Sequence, residues 1–254
     1  MRSSRGEKVH SAGMIETYTF NNPSVLPAAV RARWRFAEVG SASAVLATVC
    51  PAEWADIVDV LSTYSLDPPT WMKAGGNRGE VAKQIDAKFS EKGWHELRLD
   101  LITYGLMYTK SGELHRRLPR VVQEGYLVDN AKGGVALDVE WNAKDGNLDR
   151  DFGAYRAWHA AGALTAAVLI TQDRISLKAL AEELWAQYQT TLDEAQRNSR
   201  LPIDVNTSTT TNFDKALLRV RRGAVGACPL LIVAACRETW NGQPYTPPAA
   251  PATA

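Results

Sequence analysis

The residues best equipped for chemistry lie in VALDVEWNAKDGNLDRD, from Val135 to Asp151. Side chains alternate along a strand. Val135, Leu137, Val139 and Trp141 therefore share one face, while Ala136, Asp138, Glu140 and Asn142 share the other. The first set is a core face. The second places two acids in a segment that otherwise reads as interior. The preceding short strand, YLVDN, carries Asp129, and the turn AKGG folds it back beside Asp138 and Glu140. Three converging carboxylates repel one another and need desolvation and raised pKa values, unless a cation joins them. Hard oxygen ligands suit Mg²⁺, which orients a water, lowers its pKa and shields a phosphate. Acids on the exposed face of an edge strand would give the same alternation. The tract that follows argues for chemistry: Asn142, Lys144, Asn147 and Arg150 suit phosphate and base edges, and they lead into a helix N-terminus, which favours anions.

The elements around this stretch define the fold class. PSVLPAAVRARWRFAEVGSA reads as a helix with a basic patch, and PAEWADIVDVLSTYS as an amphipathic helix with Pro in its first turn. Val81, Ile85 and Phe89 recur every four residues in a helix that Gly93 ends. WHELRLDLITYGLMYT alternates as one long strand, and SGELHRRLPRVVQEG is a basic connection. A helix over LDRDFGAYRAWHAAGAL precedes AAVLIT, a buried strand of the parallel-sheet type. A helix capped by Ser176, a polar loop entering the basic helix FDKALLRVRRG, and a last buried strand, CPLLIVAAC, complete the order. The expectation is an α/β fold, a mixed central β-sheet flanked by helices on both faces. One domain spans residues 14–241, between a disordered extension over residues 1–13 and a Pro/Ala-rich tail over residues 242–254.

Composition narrows the class further. With 254 residues, 45% apolar and 22% charged, the chain is long enough for a substantial core. The three cysteines are set in apolar surroundings, without disulfide or zinc spacing, and suit buried thiols in the cytoplasm. No apolar run reaches membrane-span length, so no membrane partner is expected. The net charge of +1 excludes a globally basic surface. Basic character is instead local, in RARWR (31–35), HRRLPR (115–120) and RVRR (219–222), clusters able to neutralise phosphates.

Asp129 and Asp138-Val139-Glu140 form D-x8-D-x-E, which resembles the PD-(D/E)XK nuclease motif with Glu in the usual Lys position. The order of GGNRGEVAKQIDAKFSEKGWHE, GVALDVEWNAKDGNLDRDFGAYRAWHAAG, AVLIT and TTTNFDKALLRVRRGAVGACPLLIV resembles the BglII-like type II restriction endonucleases, of the BamHI and BglII type, over much of residues 70–235. The resemblance implies Mg²⁺-dependent hydrolysis of duplex DNA at a short palindrome by a homodimer. It implies that Asp129 and Asp138 ligate Mg²⁺ with the Val139 carbonyl, and that Glu140 orients the attacking water or holds a second metal. Asp138 stands where Glu is commoner. An alternative register uses Glu140 and Asn142 instead. Glu80 is a candidate further acid from the helix beneath the sheet.

Duplex DNA would be read by Asn142, Lys144, Asp145 and Arg150, and by Ser208, Thr209, Thr210 and Asn212 of the run NTSTTTN, whose plainer reading is a polar loop and helix cap. The helix PAEWADIVDVLSTY would supply a dimer interface. Two alternatives remain open: a DNA-binding protein that keeps the fold without catalysis, and a glycosidase using carboxyls about 7 Å apart on one strand face.

Overall fold

The computed structural model describes residues 24–72, 79–125, 127–144, 146–198, 201 and 209–247. Asp145, Ser208, residues 1–13 and residues 248–254 of the tail lie outside them.

In chain order the elements are α1 (Ala28–Arg31), β1 (Trp34–Val39), α2 (Ala42–Val49), α3 (Pro51–Thr63), α4 (Pro68–Trp71), α5 (Glu80–Glu91), β2 (His95–Arg98), β3 (Leu101–Thr103), β4 (Leu106–Tyr108), β5 (Leu114–Arg117), β6 (Val121–Gln123), β7 (Leu127–Lys132), β8 (Val135–Val139), α6 (Asn147–Ala160), β9 (Ala166–Gln172), α7 (Arg174–Thr190), α8 (Phe213–Arg221) and β10 (Leu230–Ala235). Six strands form a mixed sheet in the order β1-β10-β9-β8-β7-β2. β8, β9 and β10 run parallel, while β1, β7 and β2 pair antiparallel. The expected α/β architecture with helices on both faces is what forms.

Alternation along β8, β9 and β10 builds both faces. Leu137, Val168 and Val233 enter one core with Leu46, Ile57, Ile85 and Leu180 from the helices. Ala136, Leu169 and Ile232 enter the other with Phe152, Tyr155 and Ala216. The apolar face of α3, Trp54, Ile57, Val60 and Leu61, is buried in the first core, so it is not a surface open to a partner. Tyr245, in the segment read as a tail, packs on Trp185 and Tyr188.

Three local expectations are corrected. The stretch read as one helix over residues 23–42 contains strand β1 between two helices, because Trp34 and Ala37 pack inward at strand positions along the edge of the sheet. The arginines of RARWR are engaged there. Arg33 donates to the Ser62 and Tyr64 carbonyls, and Arg35 pairs with Asp173 and lies 4.0 Å over the Phe213 ring. Second, the cap of α7 is Asp173, which accepts from Ser176 N, while the Ser176 hydroxyl accepts from Arg237 N.

The third correction concerns residues 95–123. The expected long strand divides among three sheets: β2 joins the main sheet, β3 pairs with β6, and β4 pairs with β5. The basic connection is therefore itself the return of a two-stranded arm. At the arm's neck the Gly125 N–H donates to Asp100 Oδ1, and a Cβ at Gly125 would run into the Leu99 carbonyl.

Candidate active site

The acids lie at one end of the sheet. The paired register of β7 with β8 ends at Asn130 and Leu137. The next link is made by a side chain: Asp138 Oδ1 accepts from Asp129 N at 2.7 Å. Asp138 Oδ2 accepts from the Tyr155 hydroxyl at 2.6 Å. Asp138 is 3% exposed and Glu140 is 5% exposed, facing α6, while Val139 and Trp141 face the opposite core. The expected division of this strand into an apolar and an acidic face therefore holds, and Asp129, Asp138 and Glu140 are brought together.

α6 adds an acid that was not anticipated. Asp151 is 2% exposed on the helix face that also buries Leu148, Phe152 and Tyr155. In the sequence its signal is an acid on an apolar helical stripe, which strand alternation does not reveal. Arg150 joins the group: its Nη2 lies 3.1 Å from Asp151 Oδ1 and 3.9 Å from Glu140 Oε1. Glu140 Oε2 and Asp151 Oδ2 are buried where no N–H or O–H donor reaches them, and the two carboxyls face each other closely enough to share a proton.

Burial pushes the carboxyls of Asp138, Glu140 and Asp151 above the usual carboxylate range, and for Asp138 and Glu140 the negative charge of Asp151 adds to the effect. The donor chemistry fits a hard divalent cation, which would remove the need for those protons. Among the described residues no three acidic, histidine or cysteine side chains stand close enough to enclose an ion as placed. Asp138 is held by Asp129 N–H and Tyr155, although each carboxylate oxygen retains a second lone pair.

The end of β8 is clamped from two sides. The Glu140 carbonyl accepts from the Thr171 hydroxyl at 2.8 Å and from the Thr211 hydroxyl at 3.1 Å. Thr211 N donates to the Ala143 carbonyl, and Thr210 bridges Lys144. The threonine-rich run therefore fastens the acidic strand through Thr211, which the sequence reading passed over in favour of its neighbours.

The other candidate residues are placed as follows. Asn142 is exposed with φ 58°, at the turn leaving β8, and Lys144 is exposed. Arg150 turns toward the acids. Thr209 is exposed and Thr210 half-buried, whereas Asn212 is buried and caps α8, accepting from Lys215 N at 3.1 Å. Glu80 is exposed and lies 3.8 Å from Lys83, and the adjoining Gly79 lies against Trp141 and Asn142.

The family model for the restriction endonucleases BglII/BglIII matches residues 34–235. The chain belongs to this family. Membership places it among the restriction endonucleases, DNA-binding hydrolases of phosphodiester bonds. The match runs from β1 through β10 and takes in the acids of β7, β8 and α6. No curated protein gives a significant match. Among the described residues, no helix is long and apolar enough to cross a membrane.

Proposed function

We propose that the chain is a type II restriction endonuclease that uses Mg²⁺ to hydrolyse duplex DNA at a short palindromic site as a homodimer. The observation that carries this reading is the pair of buried carboxyl groups of Glu140 and Asp151, which face each other with an oxygen each that no N–H or O–H donor reaches, beside Asp138 and Asp129, in a member of a restriction endonuclease family. Carboxyls buried in this way are costly unless a proton or a cation neutralises them.

Asp129 and Asp138 would hold the metal with the Val139 carbonyl. When bound, the ion supplies charge stabilisation for the phosphate and lowers the pKa of a water. Glu140 accepts the proton of the water that attacks phosphorus as the ester P–O bond breaks. The Thr171 and Thr211 hydroxyls fix the Glu140 backbone for that task. Tyr155 fixes the Asp138 carboxyl, and Arg150 sets Asp151 against Glu140. This arrangement supports the register with Asp138 and Glu140 over the one with Glu140 and Asn142, because Asn142 is exposed at a turn. Asn142, Lys144 and Thr209 remain at the surface beside the acids as candidates for DNA contact.

Plasmid DNA incubated with the protein and Mg²⁺ tests the reading. Discrete double-strand fragments, lost on chelation with EDTA, are expected. A gel shift without cleavage would establish the binding-only alternative, and activity surviving EDTA would favour metal-free carboxyl chemistry.

A further inference from the structure

Every described residue from His95 to Leu127 is exposed or half-exposed. Of the fourteen large apolar residues exposed in the described chain, eleven lie in this segment, Ile102, Tyr104, Met107 and Tyr108 among them. A two-stranded ribbon with neither face covered is marginally stable at best. A cavity of about 800 Å³ lies between the root of this arm and α6, lined by Ile102 and Gln123 on one side and Asp149 and Arg156 on the other. The body of the protein therefore does not cover the ribbon, and something else must.

Charge identifies the occupant. Residues 105–120 carry Lys110, Arg116, Arg117 and Arg120 against one acid, Glu113. Among the described residues these four cations make no ion pair or side-chain hydrogen bond. The other basic clusters differ: Arg33 and Arg35 bind protein groups, and Arg219 pairs with Asp149 at 2.8 Å. Among the described residues, the arm is the basic cluster whose cations all stay available. Apolar side chains share its faces, with Leu106 opposite Arg117 and Met107 opposite Arg116.

Position agrees with charge. The arm returns through Gly125 into β7, and Asp129 is the third residue of that strand. The arm therefore springs from the end of the sheet that carries the acids. A ribbon from Leu101 to Thr109 extends roughly 30 Å at strand rise, close to one duplex turn. The major groove of duplex DNA admits a two-stranded ribbon, and apolar side chains beside phosphate-binding cations suit its sugar edges and thymine methyl groups.

We infer that the arm over residues 99–125 is a DNA clamp, a basic and apolar ribbon laid in a groove of duplex flanking the cleaved phosphate. This rests on the proposed nuclease reading. The arm would add length-dependent affinity, while the acids perform the chemistry.

The test is full-length protein carrying Arg116→Glu, Arg117→Glu and Arg120→Glu, measured by anisotropy on a random-sequence duplex of several helical turns, without metal and across a salt series. These side chains are exposed, so circular dichroism should be unchanged. Loss of three phosphate contacts lowers the slope of log K against log salt by about two to three. Sedimentation velocity should show the same assembly for both proteins. An unchanged slope overturns the clamp. A weakened slope that accompanies a change in assembly also overturns it, and assigns the arm to a second copy of the chain. If the unaltered protein fails to bind duplex at all, the nuclease reading falls instead.

Discussion

Asp151 and Leu106 break the burial rule in opposite senses. Asp151 is 2% exposed, a carboxylate inside an apolar helix face, while Leu106 is 49% exposed on a ribbon with no core behind it. Acids are seldom fully buried unless paired, and contiguous exposed apolar patches mark interaction surfaces. At the end of the sheet, charges without enough counter-charge call for a cation. On the arm, apolar side chains among unpaired arginines call for a polyanion with apolar edges. The two regions meet at β7, which receives the arm and carries Asp129 within three residues. A site that cuts a phosphate and a surface that holds the flanking duplex would thus share one strand.

The sharpest way to break this comparison is to remove an acid. Asp129→Asn should lower the cleavage rate at least about a thousandfold, since a metal-held phosphate is stabilised by several kcal/mol. Duplex binding, read by gel shift, should persist or strengthen, because a negative charge beside the phosphate is gone. A variant that cuts at full rate would remove Asp129 from the site.

Stability should separate the regions next. Leu169→Ala, inside the core against α6, is expected to cost about 2–5 kcal/mol in denaturant unfolding. Leu106→Ala on the arm should fall within about 0.5 kcal/mol, as for other surface changes. A large loss at Leu106 would mean that the ribbon is part of the folded core rather than a surface awaiting a partner.

Asp151→Asn tests the acid that the strand pattern concealed. Divalent-metal binding followed by calorimetry should weaken about tenfold to a hundredfold, the usual effect of disturbing a group that supports metal ligands. Without metal the same variant should be more stable than the parent, because the buried negative charge that pushes up the Asp138 and Glu140 carboxyls is replaced by a neutral amide. Unchanged metal affinity would make Asp151 merely a buried partner of Arg150.

What could be read from the chain follows from the range of the physics involved. Period-two alternation is local, so β8 and its two faces were legible, and so were the buried parallel strands β9 and β10. The turn AKGG joins neighbouring strands, so the meeting of Asp129 with Asp138 was legible as well. Asp151 reaches the site through the docking of α6 on the sheet, a tertiary fact. Thr211 reaches it through a loop some seventy residues downstream of Glu140. The division of residues 95–108 into three strands was hidden for the same reason: alternation states that a segment is extended, not which partner it pairs with. Arg33 and Arg35 looked like a DNA patch until folding supplied carbonyls and carboxylates for them.

The smallest expected effect lies in the pH dependence of stability without metal. The carboxyls of Asp138, Glu140 and Asp151 are raised chiefly by burial. Between the ordinary carboxylate value, about 4, and these raised values, the folded chain keeps protons that the unfolded chain has released. Stability therefore falls as pH rises through that window. The lowered carboxylates at Asp149 and Glu183, held down by Arg219 and Arg237, act at the opposite end, losing their contribution only below the ordinary value. In EDTA, the melting temperature at about pH 8 should lie a few degrees below that at about pH 5.5, as expected for about 1 kcal/mol in a domain of this size. Mg²⁺ should recover more of the difference at the higher pH, where fewer protons compete for the carboxyls. Glu140→Gln should flatten the profile while leaving the arm's salt-dependent DNA binding unaltered. A profile that stays steep in that variant would place the titration elsewhere in the fold.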